Sequence, residues 1–177
     1  MEYLHGRNIV HYDLKYENIL YNNGRIKITD FGISRKVVKS FGRAKFVRGT
    51  KYYMAPEVAN GWCAVYESDV WSFGCMLYYV ATGRPPYHDM DAETLFRRLQ
   101  LDRELPLAPL RNHNIPLLFA QATEACLRWN LVHRPSFSML KTFLRTGVWS
   151  GSHGKTTKVP PSISVLRTSI NKARNIR

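Results

Sequence analysis

The stretch 68–82, SDVWSFGCMLYYVAT, constrains the fold more than any other part of this 177-residue chain. Its apolar residues fall on nearly every side of a helix, and a helix that is apolar all round is a buried one. Ser68 or Asp69 is placed to cap its start, and Gly83-Arg84-Pro85-Pro86 stops it sharply. Apolar residues return at helical spacing over 91–101, with Leu95, Phe96 and Leu99, and further helices are expected over 115–129 and 137–144. Before residue 30 the pattern is different. Short apolar runs (Ile9-Val10, Ile19-Leu20-Tyr21, Ile26-Lys27-Ile28) alternate with polar turns, and Asn22-Asn23-Gly24 is a hairpin signal. The expected fold is mainly α with a small β element.

Length allows about one domain, set here at 1–146. From Gly147 onward the chain is rich in Ser, Thr, Lys and Arg without an acidic residue, and 147–177 is expected to be a basic flexible tail. The three cysteines, Cys63, Cys75 and Cys126, form no C-x-x-C pair, which argues against a disulfide framework or zinc site and for a reducing compartment. The opening stretch is too polar for a signal peptide, and no apolar run approaches the ~18 residues of a membrane span. A soluble, intracellular and in particular cytoplasmic protein is therefore expected. The net charge of +13 would attract polyanions, but a basic face by itself fixes no chemistry.

Three motifs carry chemistry. In His11-Tyr12-Asp13-Leu14-Lys15-Tyr16-Glu17-Asn18, residues Asp13, Lys15 and Asn18 bring a carboxylate, a cation and an amide oxygen together within six residues. Phosphoryl transfer needs those three types: a carboxylate near the attacking hydroxyl, a cation near the moving phosphoryl, and an oxygen ligand for magnesium. Twelve residues after Asn18 comes Asp30-Phe31-Gly32, at the end of an apolar strand, where a carboxylate can meet a hard cation. The third motif is Gly49-Thr50-Lys51-Tyr52-Tyr53-Met54-Ala55-Pro56-Glu57. If Glu57 is buried it needs a cationic partner, and Arg134 in His133-Arg134-Pro135-Ser136-Phe137 is the natural candidate for a bidentate pair.

In this order, these motifs resemble those of the eukaryotic protein kinases. HYDLKYEN is similar to the family's H-R-D-L-K-x-x-N catalytic loop, DFG to its magnesium motif, and APE to the close of its activation segment. SDVWSFGCMLYYVATGRPPY and HRPSF resemble later parts of the same lobe, so the likeness covers roughly 1–145. Lys15 and Thr50 follow the Ser/Thr-specific pattern, with overall resemblance to the tyrosine-kinase-like group. The resemblance implies the C-terminal lobe of the protein-kinase-like fold, with the N-lobe absent, and ATP and Mg2+ as cofactors. It implies that Asp13 accepts or orients the substrate hydroxyl, that Lys15 contacts the transferred phosphoryl, and that Asn18 and Asp30 bind the metal. Thr50 would support Asp13 and Lys15, while Glu57, Arg134 and Asp69 would be structural. The partner implied is a protein carrying Ser or Thr.

Two departures from the family matter. Tyr12 stands where the family usually has Arg, and tyrosine cannot pair with a phosphorylated loop. Activation by phosphorylation is thus not expected, despite hydroxyls at Ser34, Ser40 and Tyr52. Second, no segment reproduces the family's Gly-rich loop or its V-A-I-K strand, so the chain alone is expected to show little or no kinase activity. The alternative is a non-catalytic kinase-lobe remnant that binds or regulates partners. Seven cations between 30 and 57 (Arg35, Lys36, Lys39, Arg43, Lys45, Arg48, Lys51), together with the tail, make acidic partners conceivable, whereas nucleic acid is not expected. Gly151-Ser152-His153-Gly154-Lys155-Thr156 is only a partial phosphate-loop pattern, because Trp149 stands where a glycine is required.

Overall fold

The computed structural model describes residues 1–37, 47–102, 110, 115–150 and 156–157. Helix α1 (Glu2–Gly6) leads into strand β1 (Ile9–Val10). The expected hairpin forms from β2 (Ile19–Asn22) and β3 (Arg25–Ile28), in register from Ile19 opposite Ile28 to Asn22 opposite Arg25. Its turn residues Asn23 (φ 48°) and Gly24 (φ 75°) are both left-handed, as a two-residue hairpin requires. Strand β4 (Arg35–Lys36) returns to pair antiparallel with β1. Helices α2 (Pro56–Ala59), α3 (Tyr66–Thr82), α4 (Ala92–Leu101), α5 (Leu117–Cys126) and α6 (Phe137–Thr146) follow. A short strand, β5 (Trp149–Ser150), pairs with β6 (Thr156–Thr157).

Helix α3 is the axis of the packing. Trp71 and Cys75 face a cluster containing Tyr53, Leu95, Leu99 and Leu110, and Val70 faces a second one with Ala122, Cys126, Leu140 and Phe143. Burial on every side holds for the first turns, but Val80 near the end is 66% exposed, so the helix emerges as it ends. Gly83 (φ 74°) closes it, donating its N–H to the Tyr79 carbonyl at 2.8 Å. The start differs from expectation. The helix begins at Tyr66, and neither Ser68 nor Asp69 is its N-cap. Ser68 lies one turn in, where its Oγ accepts the Val65 N–H at 3.1 Å, and Asp69 turns its carboxylate away from the helix.

Gly74 sets how closely α3 and α5 approach. A Cβ there would lie 2.7 Å from Cys126 Cβ and 2.9 Å from Leu127 Cγ, closer than the packing allows. Gly74→Ala is expected to destabilise by ~1–3 kcal/mol, the usual range for overpacking. A shift of the urea midpoint at unchanged slope would measure it; no shift would refute the tight crossing. Burial raises the thiols of Cys75 and Cys126 well above their ordinary range, and all three cysteines are free.

Asp91 caps α4, its Oδ1 accepting from the N–H groups of Glu93 and Thr94, so the expected 91–101 helix is found. The expected 115–129 helix is shorter, ending at Cys126. Beyond that end, the carbonyls of Arg128 and Trp129 accept from the Arg134 guanidinium. Ser136 caps α6, and Gly147 (φ 72°) ends it two residues beyond the expected 144. Packing then runs past the expected domain limit at 146. Trp149 is buried and stacks on Phe143 with ring centroids 4.0 Å apart and planes at 10°. Most of the expected tail, including all of the partial phosphate-loop pattern except Thr156, lies outside the described residues.

Candidate active site

The site is assembled around the buried carboxylate of Asp69, held from below by α3. Its Oδ2 accepts the His11 N–H at 2.9 Å and the His5 Nε2 at 2.9 Å, and its Oδ1 accepts the Tyr12 N–H at 3.1 Å. These bonds fix the peptide that follows β1. The His11 ring is fully buried; its Nδ1 accepts the Asp13 N–H at 3.3 Å and its Nε2 donates to the Thr29 carbonyl at 3.0 Å. One imidazole thereby ties the loop carrying Asp13 to the end of β3, next to Asp30. Phe31 leans on the same ring, at 5.0 Å between centroids.

Asp13, Lys15 and Thr50 form a closed triangle. Asp13 Oδ1 accepts from Thr50 N–H (3.0 Å) and Thr50 Oγ1 (2.9 Å), and its Oδ2 lies 2.9 Å from Lys15 Nζ. Lys15 Nζ in turn donates to Thr50 Oγ1 at 3.0 Å. Burial opposes ionisation of Asp13, but the hydrogen bonds from Lys15 and Thr50 outweigh it and hold the carboxyl below its usual range. A depressed carboxyl stabilises the fold above its unfolded pKa, and that contribution is lost as pH falls through the folded value. Lys15 is raised, first by its hydrogen bond to Asp13 and, after an opposing effect of burial, by the charges of Asp13, Glu17 and Asp30.

Gly49 makes the approach of Thr50 possible. Its φ of 110° lies outside the range of ordinary residues, and a Cβ there would sit 3.0 Å from the Tyr12 carbonyl oxygen. A glycine immediately before Thr50 is a readable signal for such an approach, though sequence reasoning took it only as part of a motif.

The two expected metal ligands lie on adjacent strand ends. Asn18, buried in a 3₁₀ turn (Tyr16–Asn18), donates its Nδ2 to the Asp13 carbonyl at 2.9 Å, leaving Oδ1 as the atom for a cation. The Asn18 carbonyl accepts from Thr29 N–H and Thr29 Oγ1, which brings the neighbouring Asp30 to the same side. Asp30 is exposed, with a left-handed backbone (φ 60°), and its Oδ1 accepts the Gly32 N–H at 3.3 Å. One carboxylate and one amide oxygen suit magnesium, which takes few protein ligands and completes its shell with water and phosphate oxygens. Among the described residues no three His, Cys, Asp or Glu side chains gather as a metal site of another kind.

The expected pair of Glu57 and Arg134 is found, buried and bidentate, at 2.7 and 2.9 Å. Arg134 also donates to the carbonyls of Glu67, Arg128 and Trp129, so all five guanidinium N–H groups are used. Trp71 covers its face at 4.9 Å. Ser68 Oγ donates to the other side of Glu57 Oε1 at 2.7 Å, a link that sequence reasoning missed. Of the basic loop, Lys39, Arg43 and Lys45, and with them Ser40, lie outside the described residues. Lys51 is paired with Glu93 and lies over the Phe96 ring. The Ser34 and Tyr52 hydroxyls donate to the carbonyls of His11 and Met90.

A model of the protein kinase domain matches residues 1–143. Among curated proteins, the chain is 40% identical over 117 residues to a Dictyostelium discoideum protein named probable serine/threonine-protein kinase PLK, covering 64% of this chain and 12% of that protein. It is 44% identical over 112 residues to the Arabidopsis thaliana serine/threonine-protein kinase RUNKEL, covering 60% of this chain and 8% of that protein. It is 34% identical over 167 residues to an Arabidopsis thaliana mitogen-activated protein kinase kinase kinase 3, covering 91% of this chain and 26% of that protein. The chain thus spans between 8% and 26% of the length of these relatives. The kinase-domain match runs through every helix from α1 into α6 and takes in the triangle around Asp13, the Asp30 strand end and the Glu57–Arg134 pair: the chain belongs to the protein kinase domain family.

Proposed function

We propose that this chain provides the catalytic loop and the substrate-binding lobe of a serine/threonine protein kinase, which moves the γ-phosphoryl of ATP to a protein hydroxyl. The observation that carries the reading is the triangle of Asp13, Lys15 and Thr50, with Asn18 on the same loop. Asp13 is the group that orients the incoming hydroxyl and takes its proton, with its carboxylate held in place by Thr50 and Lys15. Lys15 is a fixed cation beside it, placed to meet charge that grows on the transferred phosphoryl. Asn18 and Asp30 hold magnesium, which when bound screens the phosphate charges. Thr50 sets the geometry of both Asp13 and Lys15.

The choice of Ser/Thr hydroxyls rests on Lys15 and Thr50, the tyrosine-kinase-like grouping on sequence pattern alone, and a cytoplasmic setting on composition. No helix among the described residues is long and apolar enough to cross a membrane. Residues 1–177 contain no counterpart of the Gly-rich loop or strand lysine that clamps ATP phosphates, so we expect little or no transfer from this stretch alone. Acidic partners for its basic loop and tail are a further part of the proposal.

The test is phosphate transfer from labelled ATP to a Ser/Thr peptide with Mg2+, by the protein with its ATP-clamping parts present. Asp13→Asn is expected to lower the rate ~10²–10⁴-fold. Equal transfer by the variant would sink the assignment of Asp13. No transfer by the intact protein would turn the reading toward a non-catalytic binding module.

A further inference from the structure

Tyr12 holds a conformation that an ordinary residue avoids. Its φ is 73°, a left-handed backbone that costs a side-chain-bearing residue ~1–2 kcal/mol. Such a residue persists only when its surroundings over-determine it. Two bonds do so here. At one end the Tyr12 N–H is held by Asp69 Oδ1 at 3.1 Å, and at the other the Tyr12 hydroxyl accepts the Ala64 N–H at 3.0 Å. Ala64 is buried, in the loop between α2 and α3. That loop is itself anchored, because the next N–H, from Val65, goes to Ser68 Oγ, which donates to Glu57.

The consequence reaches Asp13 by two routes. Tyr12 is its immediate neighbour, and the Tyr12 carbonyl is the surface on which Gly49 packs before Thr50 turns its N–H and hydroxyl onto Asp13. Moving the Tyr12 peptide moves both sides of the Asp13–Thr50 contact. Burial raises the Tyr12 phenol above its ordinary range, so the hydroxyl stays neutral throughout the physiological range. The bond to Ala64 therefore requires neither a charge nor an added anion.

We propose that Tyr12 is a positioning residue for Asp13: its hydroxyl, bonded to the Ala64 N–H, locks the catalytic loop to the loop between α2 and α3 by an uncharged tie built into the chain. The proposal rests on the reading of Asp13 as the catalytic carboxylate. Its structural half is tested without catalysis, so failure of one is distinguishable from failure of the other.

The test is amide hydrogen exchange of the full chain, followed by NMR without nucleotide. In the wild type the Ala64 amide, although outside any helix or strand, is expected to exchange slowly. Tyr12→Phe removes only the hydroxyl oxygen, and should speed exchange at both Ala64 and Thr50 about tenfold or more, with amides in the middle of α5 nearly unchanged. Fast exchange at Ala64 in the wild type would overturn the tie. So would a variant in which Thr50 is unaffected, or in which α5 loosens equally, since the hydroxyl would then serve local or general stability only. If Tyr12→Phe fails to fold, exchange of the wild type in rising urea decides: Ala64 and Thr50 must open together, and separate openings refute the coupling. In the active kinase, the same substitution is expected to lower kcat with the KM for ATP unchanged; a change confined to that KM counts against positioning.

Discussion

Arg134→Leu is expected to destabilise the fold by ~3–5 kcal/mol, the cost of removing one partner from a buried ion pair. The side chain of Arg134 is wholly buried and that of Glu57 is 8% exposed, so the glutamate left behind would hold its charge with little access to water. Three carbonyls, those of Glu67, Arg128 and Trp129, would lose their donor at the same time. A domain of this size has ~5–15 kcal/mol in total, so the variant should be near the limit of folding at 37 °C. Denaturant midpoints of the single variants and of the double variant Glu57→Gln/Arg134→Leu measure the effect. The double should cost clearly less than the sum of the singles, because the uncompensated charge is gone. Additive losses would mean that the pair is not coupled as its geometry requires.

Asp69→Ala is the second large effect. It strips acceptors from the N–H groups of His11 and Tyr12 and from the His5 ring. An unsatisfied buried donor costs ~1–3 kcal/mol, so the two backbone groups together cost ~2–6 kcal/mol. Asp69→Asn keeps one carbonyl oxygen and should lose less. The distinctive outcome is regional. Because Tyr12 is left-handed and held there by Asp69, the alanine variant should lose exchange protection first around residues 11–13 and 49–50, ahead of α6. Uniform loss of protection would show that Asp69 supports α3 alone.

Much of the framework was legible in the sequence. The apolar character of α3, the Asn-Gly hairpin and the helical spacing of Leu95 and Leu99 in α4 each express a local rule, and each is found where its residues stand. The Glu57–Arg134 pair was readable because a buried carboxylate demands a cation, whatever the distance along the chain. What failed depended on competition between distant groups. The 115–129 helix stops at Cys126, and the chain beyond it turns so that the Arg128 and Trp129 carbonyls meet Arg134. Ser68 and Asp69 suit an N-cap by type, but Val65 takes that position, and Asp69 is drawn to N–H groups 57 and 58 residues away. Within the site, residue types pointed to Asp13, Lys15, Asn18 and Asp30, while Thr50 came only with the family resemblance. The Tyr12 hydroxyl was seen only for the charge it lacks, since nothing local in the sequence announces a bond to Ala64.

The stacked Trp149 has a practical bearing on where this domain can be cut. An expression clone ended at the close of α6 would look complete by helix boundaries, yet it would strip the indole from Phe143 and leave an aromatic face open to solvent and to neighbouring molecules. The folding unit should be defined by that aromatic plug rather than by the last helical residue, and any truncation meant to remove the basic tail has to begin beyond it.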